Sequence, residues 1–168
     1  MKNLRYYQIQ AKEAVNNALK RGVTKCLIVM AGGCGKTITA TNIIKDYGRK
    51  LWISHEESLA EQSALVLLEE FGIIDVATSS IVLDKYEGMV NLHRRHKSGE
   101  KLTPDAYKII ENIGMIKADL FDIDKPICVA SAQTLYKRLS KIPKDHFEVI
   151  VADEGDLYGS KSFKEPLD

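Results

Sequence analysis

Three glycines, a lysine and a threonine crowd into AGGCGKT, residues 31–37, directly after the apolar run KCLIVM (25–30) and directly before a helical pattern from about Gly35 to Tyr47. A short apolar run bounded by Gly-rich sequence has the profile of a strand buried on both faces. Glycine tolerates φ > 0 and lets a ligand approach the backbone closely. Strand, glycine loop and helix in that order form a cradle of backbone N–H groups at the positive end of a helix, which suits phosphate oxygens. Gly32, Gly33, Cys34 and Gly35 would line that cradle, Lys36 would reach the β and γ phosphates, and the Thr37 hydroxyl would bind Mg²⁺. The strict spacing G-x-x-x-x-G-K-[ST] places a glycine at position 30, where this chain has Met30. A plain Gly-rich turn before Lys-Thr is the alternative, and the flanking strand and helix patterns favour phosphate.

The rest of the chain alternates strand and helix patterns without repeats or a Gly/Ser/Pro-rich linker. A helix is expected over residues 9–20, with Ala11, Ala14, Val15, Ala18 and Leu19 on one face, stopping near Gly22. Strands are expected at 50–53 (KLWI), 73–78, 127–130 (ICVA) and 147–152 (FEVIVA), the last reading as a second fully buried strand. Helices are expected at 56–71 and 132–140, and the middle, about 80–120, reads as a helical insertion with patterns at 81–97 and 105–116. The order predicts an α/β fold, a parallel sheet with helices on both faces. At 168 residues, 45% hydrophobic and 28% charged, the chain fits one ordinary globular domain.

A second chemical feature lies at the end of FEVIVA, where Asp153, Glu154 and Asp156 follow the apolar run. Two carboxylates at a strand end are usually a solvated turn. Downstream of a phosphate loop they fit a nucleotide hydrolase, with Asp153 holding Mg²⁺ and Glu154 orienting and deprotonating the attacking water.

These segments together are similar to a known family. MAGGCGKT at 30–37 resembles the M-A-T-G-T-G-K-T motif of superfamily 2 helicases, in the branch of type I and type III restriction translocases and phage helicases, where Met30 is expected. LRYYQIQA at 4–11 resembles the L-R-x-Y-Q element of that branch, whose Arg and Gln grip adenine, and this maps onto Arg5 and Gln8. A Gln amide donates and accepts at once and so matches adenine N7 and N6. SHEESLAEQ at 54–62 looks like the H-R-x-E-L-x-x-Q motif that touches the nucleic-acid backbone, with Glu56 in place of the usual Arg, so that His55 reads equally as a DNA contact or as a surface histidine. ASAQTLYKRL at 130–139 is similar to A-T-x-Q-S-L, which implies nucleic-acid contacts at Ser131, Gln133 and Thr134, although Ser131 also suits a helix N-cap. VADEGD at 151–156 resembles D-E-A-D/H, with Gly155 and Asp156 as departures. The resemblance implies the RecA-like P-loop NTPase fold, ATP and Mg²⁺ as cofactors, DNA as a partner, and a second RecA-like lobe or partner subunit that supplies an arginine finger.

Only 14 residues follow Glu154. The expectation is one incomplete lobe over 1–168, ending soon after its acidic motif, with weak nucleotide binding and no unwinding alone. A cytoplasmic protein without a membrane partner is expected, since no apolar run approaches a membrane span and the start lacks the core of a secretion signal. Cys26, Cys34 and Cys128 show no metal or disulfide spacing. Residues 85–101 carry five Lys or Arg and two Glu together with His93 and His96; a solvated helix face is favoured there over a nucleic-acid contact, and no third ligand accompanies the two histidines. Two other readings stay open: a different P-loop ATPase such as a packaging motor or small-molecule kinase, and a non-catalytic module that binds nucleic acid or a partner.

Overall fold

Tyr6 to Lys20 form the first helix, α1, because the chain enters it from an extended Arg5 (φ −74°, ψ 158°) and Gln8 turns back to accept the Arg5 N–H at 2.8 Å. This is half of a capping box. The helix ends where Gly22 takes φ 85° and Val23 N–H donates to the Ala18 carbonyl at 3.1 Å. In the computed structural model, residues 3–153 are described, and the chain divides into two compact units, Met1–Asp46 and Tyr47–Asp168.

The smaller unit holds α1 and α2 (Lys36–Ile44), with the glycine loop between them. The expected strand at 25–30 does not form: residues 23–31 carry no ladder, and Leu27 and Val29 are 79% and 85% exposed. An apolar run supplies the side chains of a strand but not its hydrogen-bond partners, and among the described residues this unit has no second strand to supply them.

The larger unit is built on a sheet of β1 (Lys50–Ser54), β2 (Ile113–Lys117), β3 (Leu120–Phe121), β4 (Ile127–Ser131) and β5 (Val149–Ala152), in the order β3-β2-β4-β1-β5. All neighbours are parallel except the β2–β3 pair, which is antiparallel. Every residue of β1 and β4 is buried, as strands covered on both faces require. On one face Leu51, Ile53, Ile116, Cys128 and Ala130 pack with Leu135 of α7 (Ala132–Arg138). The alternating residues Trp52, Met115 and Val129 are 2% exposed or less. α3 (Glu57–Glu70), which presents fully buried Ala60, Ala64, Leu67 and Leu68, packs on β1, β2 and β4.

Four expectations for this unit are corrected. The strand expected at 73–78 is a turn that passes into α4 (Val76–Tyr86), started by Asp75, whose carboxylate accepts the Thr78 N–H at 2.9 Å. The 81–97 pattern is two helices, α4 and α5 (Met89–Lys97), broken where Glu87 and Gly88 take φ 57° and 100°. Only the first part of the 105–116 pattern is helical, as α6 (Pro104–Asn112), and its last residues enter β2. The insertion about 80–120 is therefore not purely helical, since it supplies β2 and β3. Finally, β5 is less covered than a buried strand, with Ile150 47% exposed. It is an edge strand of this unit's sheet.

Candidate functional site

In the smaller unit the loop is shaped by two left-handed glycines, Gly33 (φ 74°) and Gly35 (φ 76°), the second being the N-cap of α2. A side chain at Gly35 would place Cβ 2.6 Å from Gln8 Nε2, whereas Gly32 and Gly33 face open space. Among the described residues, only Cys34 of the loop's 32–35 stretch donates its N–H internally, to the Ala31 carbonyl at 3.2 Å. The amides of Gly32, Gly33, Gly35 and Lys36 find no acceptor there. Such free donors at a helix start are an anion cradle. Lys36 is exposed, and its ammonium makes no hydrogen bond or ion pair among the described residues. Thr37, half-buried, follows it on the first turn of α2. Open glycine faces, free amides, an uncommitted lysine and an adjacent hydroxyl fit a nucleotide triphosphate with Mg²⁺.

Gln8 is 4% exposed, and its amide is already engaged. Oε1 accepts from Arg5 N, while Nε2 donates to the carbonyls of Cys34 at 3.2 Å and Gly35 at 3.4 Å. As placed, it holds the loop backbone. Arg5 is exposed, and its Nη1 donates to the Tyr7 hydroxyl at 3.2 Å; that hydroxyl donates in turn to the Cys34 carbonyl at 3.3 Å. Tyr7 was invisible to spacing arguments, because only the fold shows that a phenol at the start of α1 reaches a loop 27 residues on.

In the larger unit, Asp153 follows β5 and its N–H donates to the Ile53 carbonyl at 2.9 Å, which extends the β5–β1 pairing by one bond. Glu154 lies outside the described residues, as do Gly155 and Asp156. The expected nucleic-acid residues gather at the carboxyl ends of β1 and β4, where Ser54 and Ser131 are register partners. His55 is half-buried there, and Gln133 is exposed. Ser131 is 0% and Thr134 9% exposed, so neither hydroxyl is presented at the surface. Ser131 occupies the N-cap position of α7 but makes no side-chain cap bond, and its Oγ has no partner among the described residues. Ser54 Oγ lies 3.0 Å from Ser63 Oγ, a bond that ties the end of β1 to α3.

The basic cluster is partly neutralised: Arg94 pairs with Asp119 through Nε at 2.9 Å, and Arg95 with Glu100 at 2.6 Å. His93 is buried and His96 is exposed against the Tyr107 ring. Among the described residues no cluster of three or more His, Cys, Asp or Glu could hold a metal ion. Burial pushes the Cys128 thiol up to about 12, which leaves it inert. No helix among the described residues is long and apolar enough to cross a membrane.

The family described as ResIII, type III restriction enzyme, res subunit, matches residues 1–165. The chain belongs to this family. The ResIII match covers both units and agrees with the helicase lobe expected from the motifs. The chain is also 27% identical over 165 residues to "Putative ATP-dependent helicase IRC3" of Saccharomyces cerevisiae, an alignment that spans 98% of this chain and 20% of that protein. It is 28% identical over 123 residues to the type I restriction enzyme EcoAI endonuclease subunit of Escherichia coli, 65% of this chain and 15% of that protein. The ResIII chain thus spans about a fifth or less of the length of these relatives.

Proposed function

We propose that residues 1–168 are the ATP-binding lobe of a DNA helicase or translocase of restriction type, which couples ATP hydrolysis to movement on nucleic acid when joined to a second RecA-like lobe or partner subunit. The observation that carries this reading is the glycine loop at the head of α2, where the amides of Gly32, Gly33, Gly35 and Lys36 and the Lys36 ammonium have no partner among the described residues. Lys36 neutralises charge on the β and γ phosphates. By the motif resemblance, Thr37 and Asp153 are magnesium ligands and Glu154 is the group that orients the attacking water. Bound Mg²⁺ would neutralise charge developing on the transferred phosphoryl group.

Adenine is assigned to Arg5 and Gln8 on the same resemblance. Because Nε2 of Gln8 is spent on loop carbonyls, the base would be met by the second lone pair of Oε1 or by an amide released from the loop. Nucleic acid is assigned to the carboxyl ends of β1 and β4. Exposed Gln133 and half-buried His55 are the groups best placed to reach a backbone, and Ser131 and Thr134 would act only after a local rearrangement.

The test is Mg²⁺-dependent binding of a fluorescent ATP analogue to wild type and Lys36→Ala, with GTP as competitor. Wild type should bind, Lys36→Ala should lose at least about tenfold in affinity with an unchanged melting temperature, and GTP should compete poorly. Equal binding by the two proteins would refute the assignment of the loop. No binding by either would favour the non-catalytic module.

A further inference from the structure

The peptide between Cys34 and Gly35 is the part of the loop whose orientation matters most for an anion. Its carbonyl oxygen faces α1, where it accepts from Gln8 Nε2 at 3.2 Å and from the Tyr7 hydroxyl at 3.3 Å. In a planar trans peptide the N–H points opposite to the C=O. The Gly35 amide is thereby turned away from α1, and it has no acceptor among the described residues. Reversing this peptide would exchange a donor for a partly negative carbonyl in the cradle. Glycine makes such a reversal cheap, since either sign of φ is open to it.

Something outside the loop must therefore hold the peptide; Gln8 Nε2 gives the Cys34 carbonyl one N–H, its other N–H being aimed at the Gly35 carbonyl at 3.4 Å, and so fills only one of the two lone pairs of the Cys34 oxygen. Tyr7 supplies the second donor that the Cys34 carbonyl can accept. Arg5 Nη1 donates to the same phenol oxygen at 3.2 Å. That charged donor occupies the oxygen's lone pair, directs the hydroxyl hydrogen toward Cys34 and strengthens its donation.

We infer that Tyr7 is a positioning residue for the phosphate loop: its hydroxyl, polarised by Arg5, locks the Cys34–Gly35 peptide with the amide side toward the anion. The inference rests on the phosphate-binding reading of the loop. It differs from an adenine contact, because its effect reaches the ligand through the loop and does not depend on a base.

The experiment compares wild type and Tyr7→Phe, which keeps the ring and removes the oxygen, in titrations with MgATP and with magnesium tripolyphosphate, which lacks a base. Tyr7→Phe should weaken both by the same factor, about three- to tenfold for one lost hydrogen bond, with the melting temperature unchanged. A loss confined to MgATP would make the phenol a base contact and overturn the inference. Unchanged affinity for both ligands would also overturn it, as would a wild type that binds MgATP but not tripolyphosphate. A wild type that binds neither ligand would instead refute the phosphate reading itself, which separates the two failures.

Discussion

His93 is 2% exposed on α5, with Nδ1 4.0 Å from Asp122 Oδ2 and no partner for Nε2 among the described residues. Desolvation, reinforced by Lys97, His96 and Lys125, drives its pKa from 6.5 to about 3. The ring is neutral in the fold, whereas an unfolded chain takes up a proton near 6.5. Between those values the unfolded state binds more protons, so the contribution to stability is complete above pH 6.5 and declines as pH falls toward 3. Thermal melts from pH 7.5 to 4.5 should therefore show a progressive loss that is shallower in His93→Gln, and parallel profiles would contradict this account. The sequence put His93 and His96 three apart, a spacing suited to a shared ligand. Only packing turned one into the interior and left the other against Tyr107.

Glu61 joins three elements through one carboxylate. Its Oε1 accepts from Lys117 of β2 at 2.6 Å, and its Oε2 from Met89 N–H at the start of α5 at 3.2 Å, so α3 is tied to the strand and helix that the inserted region contributes. Lys117 is 12% exposed, which makes an unpaired ammonium there costly. Glu61→Gln should destabilise the chain by about 1–3 kcal/mol in urea denaturation, and adding Lys117→Met should recover part of that loss. Additive losses would show that the pair does not couple. Element boundaries in this region were the least readable part of the sequence. Ile109, Ile110, Ile113 and Ile116 fit a helical stripe, yet the last two belong to a strand buried on both faces, where apolar residues also run without a break. In contrast, α3 was legible within a residue or two, because its stripe is long and its other face polar.

Hydrogen exchange should rank the whole chain by what each segment is paired with. Amides of Trp52, Met115 and Val129, in the three inner strands of the sheet, should exchange slowest, and those of residues 26–31, which carry no ladder, among the fastest. Slow exchange at Leu27 and Val29 would mean that this run is paired in solution. By itself the sequence determined the chemistry on offer and the α/β character: the glycine loop with Lys36 and Thr37, the acidic end of β5, and the apolar faces of β1, β4 and α3. Those depend on residue type and local period, which are written along the chain. Tertiary structure alone decided that Gln8 and Tyr7 grip the loop backbone, that Ser131 and Thr134 are buried, that β3 runs antiparallel, and that the apolar 25–30 run forms no strand. Each of these turns on a partner distant in sequence, and hydrogen bonding and burial are properties of pairs that no single residue encodes.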